Sequence, residues 1–174
     1  MQYKCPPLSR GRIRRYAMLI REQLKLNDTL YFPVEKFLEV LFGLIGDEDF
    51  DFILVSDDEW TQPDHVHAFY EPAANCIYIK ESVYENACDG SGRDRMTIVH
   101  ECAHVLLLKH NQLKLTRSFE ENIPTYCDPE WQAKCLAGEL MIPCNLVTGM
   151  TIAEVSKKCG VSYVAAKYQL SKYG

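Results

Sequence analysis

Two histidines four residues apart, with a glutamate beside the first, constrain this chain more than any other feature. The run is His100-Glu101-Cys102-Ala103-His104, an H-E-x-x-H motif inside the segment from Met96 to Leu108. On a helix, residues four apart lie one above the other on a single face. His100 and His104 can then offer two imidazole nitrogens to one metal ion, while Glu101 sits at the edge of that face. From there a carboxylate reaches a water on the metal without ligating the ion, the arrangement that zinc-assisted peptide hydrolysis needs. The flanks hold no Gly or Pro and are apolar nearly all round, which predicts a helix inside a core. By average residue frequencies the motif arises by chance in roughly one chain in a few hundred of this length. A buried apolar helix nevertheless has no use for His, Glu and His together unless they are partnered, because burying them unpaired costs several kcal/mol.

Composition narrows the classes. With 174 residues, 47% hydrophobic and 25% charged, the chain reads as one globular domain with a sizeable core. Its first residues show no apolar core of a secretory signal, and no run reaches membrane-spanning length, so a cytoplasmic protein with no membrane association is expected. The eight cysteines are scattered from Cys5 to Cys159 without a C-x-x-C pair. Free thiols are therefore expected rather than a disulfide framework, and a cysteine-based metal site is disfavoured. The net charge of −5 is unevenly spread: seven basic residues and one acidic residue, Glu22, lie between Lys4 and Lys25. From Asp28 to Asp64 the only base is Lys36, and the tail turns basic again with Lys157, Lys158, Lys167 and Lys172. Basic ends suit nucleic acid or an acidic partner, but a solvated helix face explains them as well.

In chain order, Ser9 to Leu26 predicts an amphipathic helix with Ile13, Ala17, Ile20 and Leu24 on its apolar stripe. A second helix is expected from Pro33 to Phe42, ended by Gly43 and Gly46. Phe50 to Val55 and Val66 to Tyr70 read as strands. After a turn from Glu71 to Asn75, Cys76 to Lys80 closes a hairpin with Ile77 and Ile79 on one face. Asp89 to Gly92 turns the chain into the H-E-x-x-H helix. The stretch from Leu108 to Cys127 is polar and irregular. Asp128 and Pro129 then supply an N-cap and a first-turn Pro for a helix carrying Ala133, Leu136, Ala137, Leu140 and Met141, ending before Pro143. The fold class is α+β, with helices packed around a short, mainly antiparallel sheet.

A third metal ligand must come from elsewhere. Glu130, in the first turn of the later helix, is one candidate; two imidazoles and a carboxylate leave a position open for water. His110 is another, six residues past His104. The H-E-x-x-H-x-x-G-x-x-H pattern, however, needs Gly at position 107, where this chain has Leu107. Glu120, Glu121, Asp128 and Glu139 are further acidic candidates, and Cys127 is the thiol that could close a structural site. A donor to the oxyanion of the tetrahedral intermediate could be Tyr126, His110 or His67. The strand Cys76 to Lys80 could bind an extended substrate by strand addition.

Three blocks together resemble the ImmA/IrrE family of bacterial metallopeptidases, over roughly residues 9 to 170: His67 to Ile79, Gly92 to His104 and Glu130 to Pro143. The family motif E-x-x-A-N-x-F-A-x-x-L-L-M-P is matched by Glu130, Ala133, Ala137, Leu140 and Pro143. The chain departs in Lys134 for Asn, in Leu136 for Phe, and in Cys102-Ala103 for the common Leu-Gly. The resemblance implies a small zincin-like metallopeptidase domain spanning 1–174, with a catalytic core at 9–146 and a helix-turn-helix-like tail at 150–172 packed on it. It implies one Zn²⁺ per chain held by His100, His104 and Glu130, with Glu101 catalytic. It also implies a protein substrate: a helix-turn-helix transcriptional repressor or antitoxin encoded nearby on a prophage or mobile element or in a stress response. Lys134 cannot accept the hydrogen bonds that Asn would.

The tail carries Gly160-Val161-Ser162 with Ser156 four before the Gly, as helix-turn-helix units often do. Two roles follow for it: packing on the domain, or DNA contact. The alternative function is accordingly a metal-stabilised regulatory or DNA-binding protein without peptidase activity.

Overall fold

A computed structural model of the chain describes residues 2–110, 116–118 and 122–173, with Gln2, His110 and Thr116–Ser118 described by backbone alone. The elements run β1 (Gln2–Lys4), α1 (Arg10–Gln23), α2 (Val34–Ile45), β2 (Asp51–Val55), β3 (Ala68–Glu71), β4 (Cys76–Lys80), α3 (Glu81–Cys88), α4 (Gly92–His110), β5 (Thr116–Ser118), α5 (Pro129–Met141), α6 (Ile152–Cys159) and α7 (Tyr163–Leu170). The α+β class is as the sequence indicates.

α4 is the axis. Ile98, Val99, Cys102, Ala103, Val105, Leu106 and Leu107 are all at most 2% exposed, so the helix is wrapped on nearly every side, as its apolar circumference requires. α5 packs along it and is buried from Ala133 to Met141 except at Lys134. α1 covers the far side of α5, burying Ile13, Ala17 and Ile20. Arg21 joins that stripe, with its guanidinium donating to the carbonyls of Leu140, Leu26 and Thr29. α1 stops three residues short of the expected Leu26, because Lys25 turns left-handed (φ 59°) and the Leu26 N–H returns to the Arg21 carbonyl. α2 instead runs past Phe42 to Ile45: Gly43 is tolerated within the helix, and Gly46 (φ 64°) takes the left-handed cap.

The sheet is mixed, in the order β2-β4-β3. β2 is parallel to β4 and β3 antiparallel to it, while β1 and β5 form a separate antiparallel pair. β4 is therefore the central strand, paired on both sides, with Ile77 and Ile79 fully buried. It has no free edge for strand addition, which corrects the sequence expectation; the open edge beside α4 belongs to β3. α3, which the sequence pattern does not announce, forms directly after β4 and buries Val83 and Ala87, one turn apart. All eight cysteines are free, and six of them are buried as small apolar core residues.

The tail helices are individually capped. Thr151 and Glu154 form a capping box on α6, Gly160 (φ 65°) ends it, and the Ser162 side chain caps α7. Fully buried Arg95 of α4 ties this turn down, with Nε donating to the Gly160 carbonyl at 3.0 Å and Nη2 to the Phe32 carbonyl at 2.7 Å. No described helix is long and apolar enough to cross a membrane.

Candidate metal centre

The site is assembled from α4 and the first turn of α5. The four-residue spacing stacks His100 and His104, whose ring centroids are 4.6 Å apart and whose Nε2 atoms approach to 3.2 Å. α5 begins where its sequence requires: Asp128 caps it, with Oδ1 accepting the Glu130 N–H at 2.9 Å, and Pro129 occupies the first turn. That start places the Glu130 carboxylate over the two rings. Oε2 lies 3.3 Å from His100 Nε2, and Oε1 lies 3.2 Å from His104 Nε2. One donor atom from each residue lies within 4.8 Å of the others, so the three can hold a metal ion. The imidazoles hold the Glu130 carboxyl far below the usual carboxylate range. The histidine side chains are 19% and 17% exposed and that of Glu130 is 59%, so the cluster opens to solvent from the α5 side.

Glu101 stays outside the cluster. Its Oε2 accepts the backbone N–H of Tyr70 at 3.0 Å, so α4 is fastened to the edge strand β3 beside the metal ligands. Burial raises the Glu101 carboxyl above its ordinary value, against the pull of His104 and His100. Sequence reasoning missed the Tyr70 contact, because a backbone donor can come from any residue.

The competing ligands fall elsewhere. Glu139 is buried and held by Arg14, with Arg14 Nε at 3.0 Å from Oε2, and by the Tyr173 hydroxyl. Asp128 is used as the α5 cap. α4 continues unbroken through Leu107 to His110, as expected of a chain lacking Gly there; the His110 side chain, Glu120 and Glu121 lie outside the described residues. Cys127 is buried in the turn before α5, and its carbonyl accepts both the N–H and the thiol of Cys5. Of the oxyanion candidates, His67 has Nε2 against the guanidinium of Arg93. An arginine only donates, so this nitrogen accepts and Nδ1 is left as the donor of that ring. Tyr126 is 52% exposed in the same turn as Cys127.

A further space adjoins the cluster, a pocket of about 230 Å³ with His100 in its wall. It continues away from the ligands between α4 and α5, past Met96 and Trp131, to α7.

Comparison with known proteins places these features in a family. No curated protein matches the chain. The family model of the M78 peptidases, described as the IrrE N-terminal-like domain, matches residues 53–171. The match is narrower than the resemblance read from the sequence, leaving α1 and α2 outside it, but it takes in β3, all of α4 and α5, and the tail through α7. Covering more than half of the chain, it shows that this protein belongs to the IrrE N-terminal-like family of metallopeptidases.

Proposed function

We propose that the protein is a zinc endopeptidase that cuts a peptide bond in a protein partner, a helix-turn-helix repressor or antitoxin encoded nearby. The observation that carries the reading is the convergence of two imidazole nitrogens and one carboxylate with a second, half-buried carboxylate one residue along α4. The donor set fits the ion. Tetrahedral zinc, with ligand bonds of about 2.0–2.1 Å, separates its ligand atoms by roughly 3.3–3.4 Å. The Nε2 atoms here are 3.2 Å apart, and each ring has a different Glu130 oxygen at 3.2 or 3.3 Å. One donor atom from each residue lies within 4.8 Å of the others, a span that a small shift of the carboxylate brings to that separation. His₂Glu also suits zinc by ligand type and leaves one position open.

Zinc bound there would supply a Lewis acid that polarises the scissile carbonyl and lowers the pKa of water. The protein's own groups do the rest. Glu101 is the general base and carries the proton to the leaving amine. The Tyr70 N–H fixes the Glu101 carboxylate, so it arrives oriented rather than being ordered during reaction. An extended substrate segment adds along the outer edge of β3 through groups other than the Tyr70 N–H, which faces away from β4 and is held by Glu101. His67, through Nδ1, Tyr126 and His110 remain the candidates for a donor to the developing oxyanion.

The test pairs the zinc-loaded protein with the helix-turn-helix repressor encoded beside it. Wild type gives a discrete cleavage product, and Glu101→Gln keeps one zinc per chain while cleavage falls by about 10²–10⁴. Salt-dependent duplex binding that survives Glu101→Gln, with no cleavage by wild type, would instead establish the DNA-binding alternative.

A further inference from the structure

The pocket beside the cluster shares one residue with it, His100, which stands in its wall. Its position follows from two helices read in opposite directions. Along α4 it extends one turn back from His100 to Met96; along α5 it extends from Trp131, next to Glu130, two turns on to Gly138. Ala137 and Ile142 form a buried floor, at 1% and 0% exposure. Met96, Trp131, Ala165 and Tyr168 line it while staying at least partly exposed, so apolar surface is left open to the space.

The far wall is α7, the helix of the helix-turn-helix-like tail. It comes this close because position 138 is glycine: a Cβ there would sit 2.5 Å from Gln169 Oε1. Gln169 is 2% exposed and donates from Nε2 to the Tyr173 hydroxyl at 2.8 Å. That hydroxyl reaches the Glu139 carboxylate of α5 at 3.2 Å and the carbonyl of its cap, Ile142, so α7 is seated on α5 through Tyr173. That seating presents Ala165 and Tyr168 to the pocket. Two charged residues beside His100 belong to the lining, and one of them, Arg10, has a buried Nη1 that makes no hydrogen bond. Arg10 lies over the Trp131 ring, 5.6 Å from its centroid, and faces Glu139 at 3.7 Å; Lys134 is exposed, able to keep its ammonium in water.

We propose that this pocket, walled by α7, receives one apolar side chain of the substrate next to the bond being cut, making the tail a specificity element of the peptidase. The inference rests on the peptidase reading and goes beyond it, since the metal cluster alone says nothing of substrate sequence. Size supports one residue as occupant. An apolar cavity of about 150 Å³ holds a benzene molecule, whereas drug-sized ligands occupy roughly 300–1,000 Å³. A space of about 230 Å³ fits a leucine, methionine or phenylalanine side chain.

The experiment is direct binding to the zinc-loaded full chain by calorimetry, using two hydroxamate probes that anchor on the metal. One is acetohydroxamate; the other carries an isobutyl group on its α-carbon. Wild type is expected to favour the isobutyl probe at least ten-fold. Ala165→Phe, which fills the pocket, brings the ratio of the two affinities to within three-fold. Tyr168→Ala, at a 53% exposed position that folding tolerates, lowers the ratio at least three-fold by removing a wall. Equal binding of both probes by wild type overturns the pocket proposal and leaves the metal site standing. A preference that persists unchanged in either variant also overturns it. A chain that takes up zinc but binds neither probe overturns the open-site reading and this inference with it.

Discussion

Glu130 and Glu139 lie on the same helix and have opposite fates. Nine residues at 100° each turn the helix through two and a half revolutions, so the two carboxylates leave from opposite faces. One side faces α4 and its histidines; the other faces α1, where Arg14 waits. Both are candidate ligands in the sequence, because a helical repeat gives faces but not what each face meets. The structure separates them by partner, and mutation separates them by readout. Glu130→Ala is expected to reduce zinc from about one per chain to a small fraction while leaving metal-free stability nearly unchanged, since that side chain is 59% exposed. Glu139→Ala should keep the zinc and cost about 2–3 kcal/mol in urea unfolding, because it leaves Arg14 facing an empty, desolvated site. Plasma mass spectrometry for metal and denaturant titration for stability check both. A loss of zinc in Glu139→Ala, or its retention in Glu130→Ala, would reverse the assignment.

Among the elements, glycines divide by what lies beside them. Gly92 opens α4 directly against the α6–α7 turn, and a Cβ there would be 2.5 Å from the Val161 carbonyl carbon and 2.6 Å from the Ser162 nitrogen. Backbone atoms cannot swing aside, so Gly92→Ala is expected to destabilise by about 2–3 kcal/mol. Gly43 lies inside α2, and a Cβ added there would meet nothing within 4 Å. It should respond the other way: Gly43→Ala stabilises by about 0.5–1 kcal/mol. Thermal unfolding of the two variants distinguishes them by sign. The sequence predicts a turn over Asp89 to Gly92 and a helix end at Gly43. Turn chemistry is legible at the first, but the close approach of a segment some seventy residues away is not. At Gly43 a weak local breaker loses to Leu44 and Ile45, which pack against the core. The same limit explains the sheet. Alternation places Ile77 and Ile79 on a buried face, while the parallel pairing of β2 with β4 depends on a non-local neighbour that periodicity does not carry.

For the whole molecule, the decisive join is between α4 and α5. His100 and His104 are legible because a four-residue spacing is local, and the helix made of those residues is where the motif says it should be. The position of Glu130 over them depends on how two buried helices pack, with the Asp128 cap as the local clue to where the second one starts. A metal held across that join binds the folded chain and not the unfolded one, so it must stabilise the fold by mass action. At a free zinc concentration a thousand times the Kd the gain is about 4 kcal/mol. For a chain of this size each kcal/mol moves Tm by roughly 2–4 °C, which puts the expected rise near 8–16 °C and makes it reversible by a chelator. Glu101→Gln should retain the rise, since Glu101 reaches toward Tyr70 and not into the cluster. Glu130→Ala should lose most of it, and Ala165→Phe should keep it because the pocket lies beyond the ligands. Scanning calorimetry of these four proteins with and without zinc separates three roles that activity alone would merge: holding the ion, moving the proton and choosing the substrate. A Tm in wild type that does not respond to zinc would show that the α4–α5 join is complete without metal and that the convergence of its three side chains serves packing alone.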